Sequence, residues 1–137
     1  MKKIYFLVLF IGFVFAGFGQ ILTFDFNGLA GDEVSANSNS NDANLSYSTI
    51  TRGSGLTATS NGDRFNATNW ALENIANAIS GNNYMEFTIT PQSGSQFSIS
   101  SIYLQMYRST TGPRGIALRS SIDSYASNLD QEYPIVD

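Results

Sequence analysis

The side chains able to do chemistry in this sequence are carboxylates, amides, hydroxyls and a few arginines. Cysteine and histidine are both absent, which removes disulfides, Cys-His and Ser-His-Asp machinery, and zinc sites built on those residues. The loop Asn37-Ser-Asn-Ser-Asn-Asp42, with Asp32 and Glu33 just before it, alternates oxygen ligands of the kind a hard cation such as Ca²⁺ takes. Asp32, Glu33, Asn37, Asn39, Asn41 and Asp42 are therefore the metal candidates. Counted from Asn37, however, Asp42 stands where an EF-hand needs Gly, and Ser48 where it needs a bidentate Glu. The plainer reading is a solvated polar loop with no cofactor, and Ca²⁺ is the cation to test against it.

Two carboxylates, Asp25 and Glu86, fall on the polar phases of alternating stretches. A pair of acids can serve a glycosidase, but outward-facing acids on strands ordinarily confer solubility and discourage edge pairing. No catalytic residue is assigned, and the chain is read as not an enzyme. Arg108, Arg114 and Arg119 crowd one short stretch beside Asp123. They suit either an anion or a set of turn-bracing bonds to carbonyls, which the five donors of a guanidinium favour; we take the bracing role. Tyr103, Gln105 and Tyr107 alternate along one strand phase and are the ligand candidates. Two tyrosines four residues apart on a strand stand about 13 Å from each other. A ring face covers the apolar side of a pyranose while an amide supplies directional bonds. The same tyrosines also fit a purely structural role, as good strand formers.

The elements that must position these residues are mostly strands. The chain is organised around Ser95 to Asp123, read as a long strand, a Thr-Thr-Gly-Pro turn at 110–113, and a return strand at 115–121. Its apolar residues run Phe97 and Ile99, then slip phase to Ile102, Leu104 and Met106. A strand has a side-chain period of two, so the slip requires a β-bulge or sharp bend near Ser100 and Ser101. Ahead of it, Ile21 to Phe26 alternates as a first strand, Asn27 to Asn44 reads as a long loop, and Leu45 to Arg52 as a second strand of ambiguous facing. Leu56 to Thr59 is a short strand at best. Between Asn69 and Ser80 the apolar spacing turns to three and four, predicting one short helix capped by Asn69. Tyr84 to Thr90 alternates again, with Met85, Phe87 and Ile89 inward, and Pro91 closes it. Pro134-Ile135-Val136 resembles the start of a strand with nothing beyond to pair with it.

A chain of 137 residues, 42% hydrophobic, holds one domain with a real core. Lys2 and Lys3, the apolar run Ile4 to Phe18, and Gly17-Phe18-Gly19 have the order of a secretory signal peptide over residues 1–19. That leaves 20–137 as the mature domain. The run of about 15 apolar residues falls short of the roughly 20 that span a bilayer, so no stable membrane span is expected once the segment is removed, and the absence of Cys excludes a lipoprotein anchor. The mature part carries five arginines against eleven acids, a net of −6, which makes nucleic acid an unsuitable partner. The expected address is secreted or cell surface.

Several stretches resemble a jelly-roll module of secreted bacterial proteins associated with type IX secretion. These are ILTFDF with NGLAGDE, ITRGSGL, GNNYMEFTITPQSG, and ISSIYLQMYRSTTGPRGIALRSSIDSYASNLD. The resemblance spans nearly all of residues 21–132 and is most specific from Arg108 to Asp130. It implies an all-β, jelly-roll-like β-sandwich forming one part of a longer exported polypeptide, and it brings no catalytic residues. Around six mature strands can be counted where such a sandwich has about eight, so the domain is expected to be incomplete at its C-terminus. The function expected is a non-catalytic structural, adhesive or ligand-presenting unit whose partners are glycans or other extracellular domains. The alternative is a carbohydrate-binding module or a fragment of a carboxylate-dependent glycosidase.

Overall fold

The structure is a computed structural model and describes residues 19–135. The signal segment expected over residues 1–19 therefore lies outside the described residues, save for Gly19. Nine short strands form four antiparallel sheets among the described residues. β1 (Leu22–Thr23) pairs with β3 (Ser40–Asn41). β2 (Ser35–Asn37), β4 (Thr49–Arg52) and β7 (Met85–Phe87) make a three-stranded sheet with β4 in the middle. β5 (Thr57–Ala58) pairs with β6 (Ala67–Thr68), and β8 (Gly115–Ile116) with β9 (Tyr133–Pro134). One helix, α1 (Ile75–Ser80), and one 3₁₀ turn at Ser121–Asp123 complete the elements. The all-β reading holds at this level, as a set of small antiparallel sheets.

The core is small, with aromatic contacts at its edge. Ala36, Leu45, Leu56, Phe65 and Ala67 are its buried apolar residues. Phe24 packs edge-on to Phe87 at 5.4 Å, and Phe26 stacks on Phe65 at 5.7 Å. Phe24 and Phe26 thus share an inward phase, while Asp25 between them is exposed, as the alternation predicts; Leu22 and Thr23 are both half-buried. Small polar residues fill the tight space between β2 and β4. The Ser38 N–H donates to the Ser48 carbonyl at 2.8 Å, the Ser48 N–H to Ser38 Oγ at 3.1 Å, and Ser48 Oγ to the Thr88 carbonyl at 2.7 Å. Both serines are buried, and every polar atom named here has a partner, as burial demands.

Four expectations are corrected. The long loop over 27–44 contains β2 and β3, because Ala36 and Ser38 are small enough to pack inward and the neighbouring strands supply ladder bonds that propensity alone does not reveal. The second strand, expected over Leu45 to Arg52, is a ladder only over Thr49–Arg52; ahead of it Leu45 is buried and bridges to Pro91, while Tyr47 is 76% exposed. The helix is shorter than the pattern over 69–80 and is capped by Asn74, whose Oδ1 accepts the Asn77 N–H at 2.9 Å. Asn69 instead sits in the left-handed region at φ 67° and donates its amide to the Gly55 carbonyl, which leaves Leu72 exposed.

The fourth correction concerns the hairpin. The return strand β8 pairs with β9, and residues 96–107 form no ladder among the described residues. The Arg119–Asn128 bridge and the Ile135 N–H to Arg114 carbonyl bond hold that C-terminal pairing, so Pro134 and Ile135 do find a partner. The phase slip survives as a bend at Ser100. The turn closes where it was expected, with the Gly112 N–H on the Ser109 carbonyl at 2.9 Å.

Candidate functional site

The bend at Ser100 decides which side chains after it face outward. Ile102, Leu104 and Met106 are 40%, 44% and 37% exposed, whereas Tyr103 and Tyr107 are 87% and 70% exposed. Exposure alternates as on a strand: the aliphatic set is the less exposed phase, and Tyr103 and Tyr107 lie on the more open one with Gln105 between them in sequence. Gln105 Nε2 donates to Tyr107 Oη at 2.7 Å, fixing the amide beside the second ring and leaving its carbonyl oxygen as an acceptor. The Arg64 guanidinium lies 5.7 Å from the Tyr107 ring centroid, within cation–π range. Arg64 also donates to Asn61 Oδ1. The loop between β5 and β6 thus adds a cation to one end of the row, a neighbour that nothing in the local spacing of Arg64 announces.

Chemically, this row offers two ring faces, an amide and a guanidinium. Rings cover the apolar face of a sugar, and the amide and guanidinium bond its hydroxyls or a carboxylate substituent.

The metal candidates are used differently. Both carboxylate oxygens of Glu33 accept backbone N–H groups, from Ala30 at 2.6 Å and Gly31 at 3.0 Å. Bonding to its own and these backbone N–H groups, with Arg52 nearby, holds the Glu33 carboxyl below its ordinary range. Asn37 Oδ1 accepts from Thr49 Oγ1, Asn39 Oδ1 accepts the Asp25 N–H, and Asp42 Oδ1 accepts both the backbone and side-chain N–H of Asn44. Asn41 donates its amide to the Leu45 carbonyl at 2.9 Å, and its Oδ1 is buried without a hydrogen-bond partner among the described residues. Asp32 is exposed. Among the described residues no three Asp, Glu, His or Cys side chains gather as a metal group would. The structure spends most of these oxygens on shaping loops.

Arg52 shows why Glu33 is placed as it is. Its guanidinium donates to the carbonyls of Glu33, Gly31 and Asn66 at 2.5, 2.9 and 2.8 Å, and lies 3.5 Å over the Phe65 ring. One arginine therefore ties β4 to the loop before β2 and to the segment before β6. Sequence spacing gives no hint of this role, since the three acceptors are backbone groups from distant positions.

Two of the three C-terminal arginines, Arg108 and Arg119, donate to turn carbonyls and side chains, the bracing role that the donor argument favours. Arg119 donates to Asn128 Oδ1 at 2.9 Å and to the Tyr125 carbonyl at 2.7 Å. Arg108 donates to the carbonyls of Ile135 and Ser109, and Arg114 is exposed. Asp123 accepts the Ser127 N–H at 3.0 Å. Asp25 and Glu86 are both exposed, and Asp25 accepts the Asn27 N–H.

An open cavity of about 540 Å³ is lined by Asn41, Ala43, Leu45, Ser46, Tyr47 and Gln92. No helix among the described residues is long and apolar enough to cross a membrane. No family model matches the chain, and no curated protein or solved structure matches it.

Proposed function

We propose that the chain is an exported, non-catalytic β-rich module that presents the Tyr103–Gln105–Tyr107 row to an extracellular glycan. The observation that carries this reading is the exposure of both rings, 87% and 70%, with the Gln105 amide between them in sequence and donating to the Tyr107 hydroxyl, its carbonyl left to accept. Two ring faces presented in a row with an amide match what a sugar requires. Binding in this reading needs no cofactor. Export rests on the Lys-Lys, apolar, Gly-x-Gly order of residues 2–19 and on the resemblance to secreted jelly-roll modules. The same resemblance supports reading the small sheets as part of a jelly-roll sandwich. The non-catalytic assignment rests on the use of Asp25 and Asp123 in shaping turns.

The experiment is glycan binding by the parent and by Tyr103→Ala and Tyr107→Ala. N-terminal sequencing of secreted material checks the export half: the first residue is Gln20, and material beginning at Met1 rejects the signal peptide.

A further inference from the structure

The segment carrying the tyrosine row poses a separate question on its other groups. From 96 to 107 every residue is exposed, and no backbone N–H or carbonyl of that run bonds another backbone group among the described residues. Unpaired backbone alternating with Ile102, Leu104 and Met106 is the template of an edge strand, and what satisfies such a row is another strand. Water can solvate the polar groups, but it leaves the half-covered aliphatic side chains without cross-strand neighbours.

Charge decides which strand. From Phe87 to Tyr107 no residue carries a formal charge, while the rest of the mature chain holds eleven acids and five arginines. Two copies meeting across this run bring no carboxylates together, so no like-charge repulsion opposes their pairing. The pattern is also its own complement. Ile102, Leu104 and Met106 are symmetric about Leu104, so antiparallel pairing with Leu104 opposite Leu104 of the second copy sets Ile102 against Met106 and Tyr103 against Gln105. Arg108 then falls opposite Ser100, clear of its own counterpart, and the bend at Ser100 ends the ladder.

We propose that residues 101–107 pair with the same residues of a second copy, antiparallel and centred on Leu104, to form a two-fold symmetric dimer. This isologous arrangement needs one patch meeting itself. It doubles the exposed tyrosine row on one face of the ribbon, yet it stands whether or not that row binds a glycan.

The absence of cysteine makes the test clean. The full chain, expressed with its leader in an exporting host, is measured by light scattering at about 100 μM, where mass action favours association. A single Leu104→Cys substitution is oxidised mildly beside Ile122→Cys, a site 95% exposed and outside the run. Directly opposed residues of an antiparallel pair lie within the Cα separation a disulfide bridges. We expect a dimer for the parent, Leu104→Cys cross-linking at least roughly tenfold faster than Ile122→Cys through its raised effective concentration, and a monomer for Leu104→Lys. A monomeric parent overturns the proposal. So does a dimer or larger species that Leu104→Lys leaves unchanged, which would point to another surface, and so do equal cross-linking rates. Glycan binding read on the same samples reports separately on the tyrosine row.

Discussion

The guanidinium of Arg52 lies 3.5 Å above the ring centroid of Phe65 while its nitrogens donate to three backbone carbonyls. Cation, ring and acceptors come from three separate parts of the chain, 31–33, Arg52 and 65–66, so this contact closes the small core. A hydrogen bond to a charged group contributes about 1.5–3 kcal/mol, and removing a donor leaves its acceptors unsatisfied. Arg52→Ala is expected to lower unfolding stability by about 2–4 kcal/mol, and Arg52→Lys by somewhat less, because a lysine keeps the charge and loses the planar fork. Urea denaturation of the two variants checks this; a change below about 0.5 kcal/mol for Arg52→Ala contradicts it.

Glu33 gives the same region a pH dependence. Its carboxyl is held below the ordinary range chiefly by bonding to its own backbone N–H, with Ala30, Gly31 and Arg52 adding to the effect. A depressed folded-state value means the unfolded chain binds the proton more readily, so the contribution is present above the unfolded value of about 4.3 and is lost as pH falls through the folded one. Asp130 works in the same direction through the Tyr133 hydroxyl. Denaturation midpoints measured from pH 6 downward should therefore fall below about pH 4, and Glu33→Gln should shallow that slope. An unchanged slope in the variant shows that Glu33 is not linked to folding.

Gly31 is the backbone element on which this loop turns. It has φ +102°, and a Cβ built there meets the Asn61 carbonyl oxygen at 2.4 Å; its own carbonyl accepts from Arg52. Gly28 also has positive φ, +81°, but open space around it. Gly31→Ala combines strain with a clash against backbone and is expected to cost about 2–4 kcal/mol, whereas Gly28→Ala carries only the conformational term, about 1 kcal/mol. Thermal melts of the pair check the difference, and equal losses contradict the close approach at Asn61.

The tyrosine row predicts a dissociation of stability from binding. At 87% and 70% exposure, truncation of Tyr103 or Tyr107 to alanine should change stability by no more than about 0.5 kcal/mol. Losses of a few kcal/mol would instead assign the rings to packing and remove them as a binding face.

What the sequence discloses about this fold follows from which interactions are local. The inward phase of Phe24 and Phe26, the bend at Ser100 and the turn before Gly112 all arise from period-two alternation or from turn chemistry within a few residues. Strand partners are not local. That β8 takes β9 and leaves residues 96–107 unpaired depends on bonds such as Leu129 N–H to the Leu118 carbonyl, which no window of sequence contains. The helix was legible as a period and misplaced at its start, because Asn69 and Asn74 are both competent caps and only the left-handed backbone at Asn69 separates them. The tyrosine row was readable from alternation once the bend was inferred. Arg64, arriving over Tyr107 from another loop, was not. Nor was Arg52, since its acceptors are main-chain carbonyls and carry no residue signature.

The most direct test of the proposed function is a glycan array probed with the parent chain and, in parallel, with the Tyr103→Ala, Tyr107→Ala double variant at matched folded concentration. The account predicts binding by the parent to at least one glycan class and its loss, by about 10-fold or more in affinity for two stacking rings, in a variant that melts with the parent. Absence of glycan binding by the folded parent, or binding that the double variant retains in full, contradicts it.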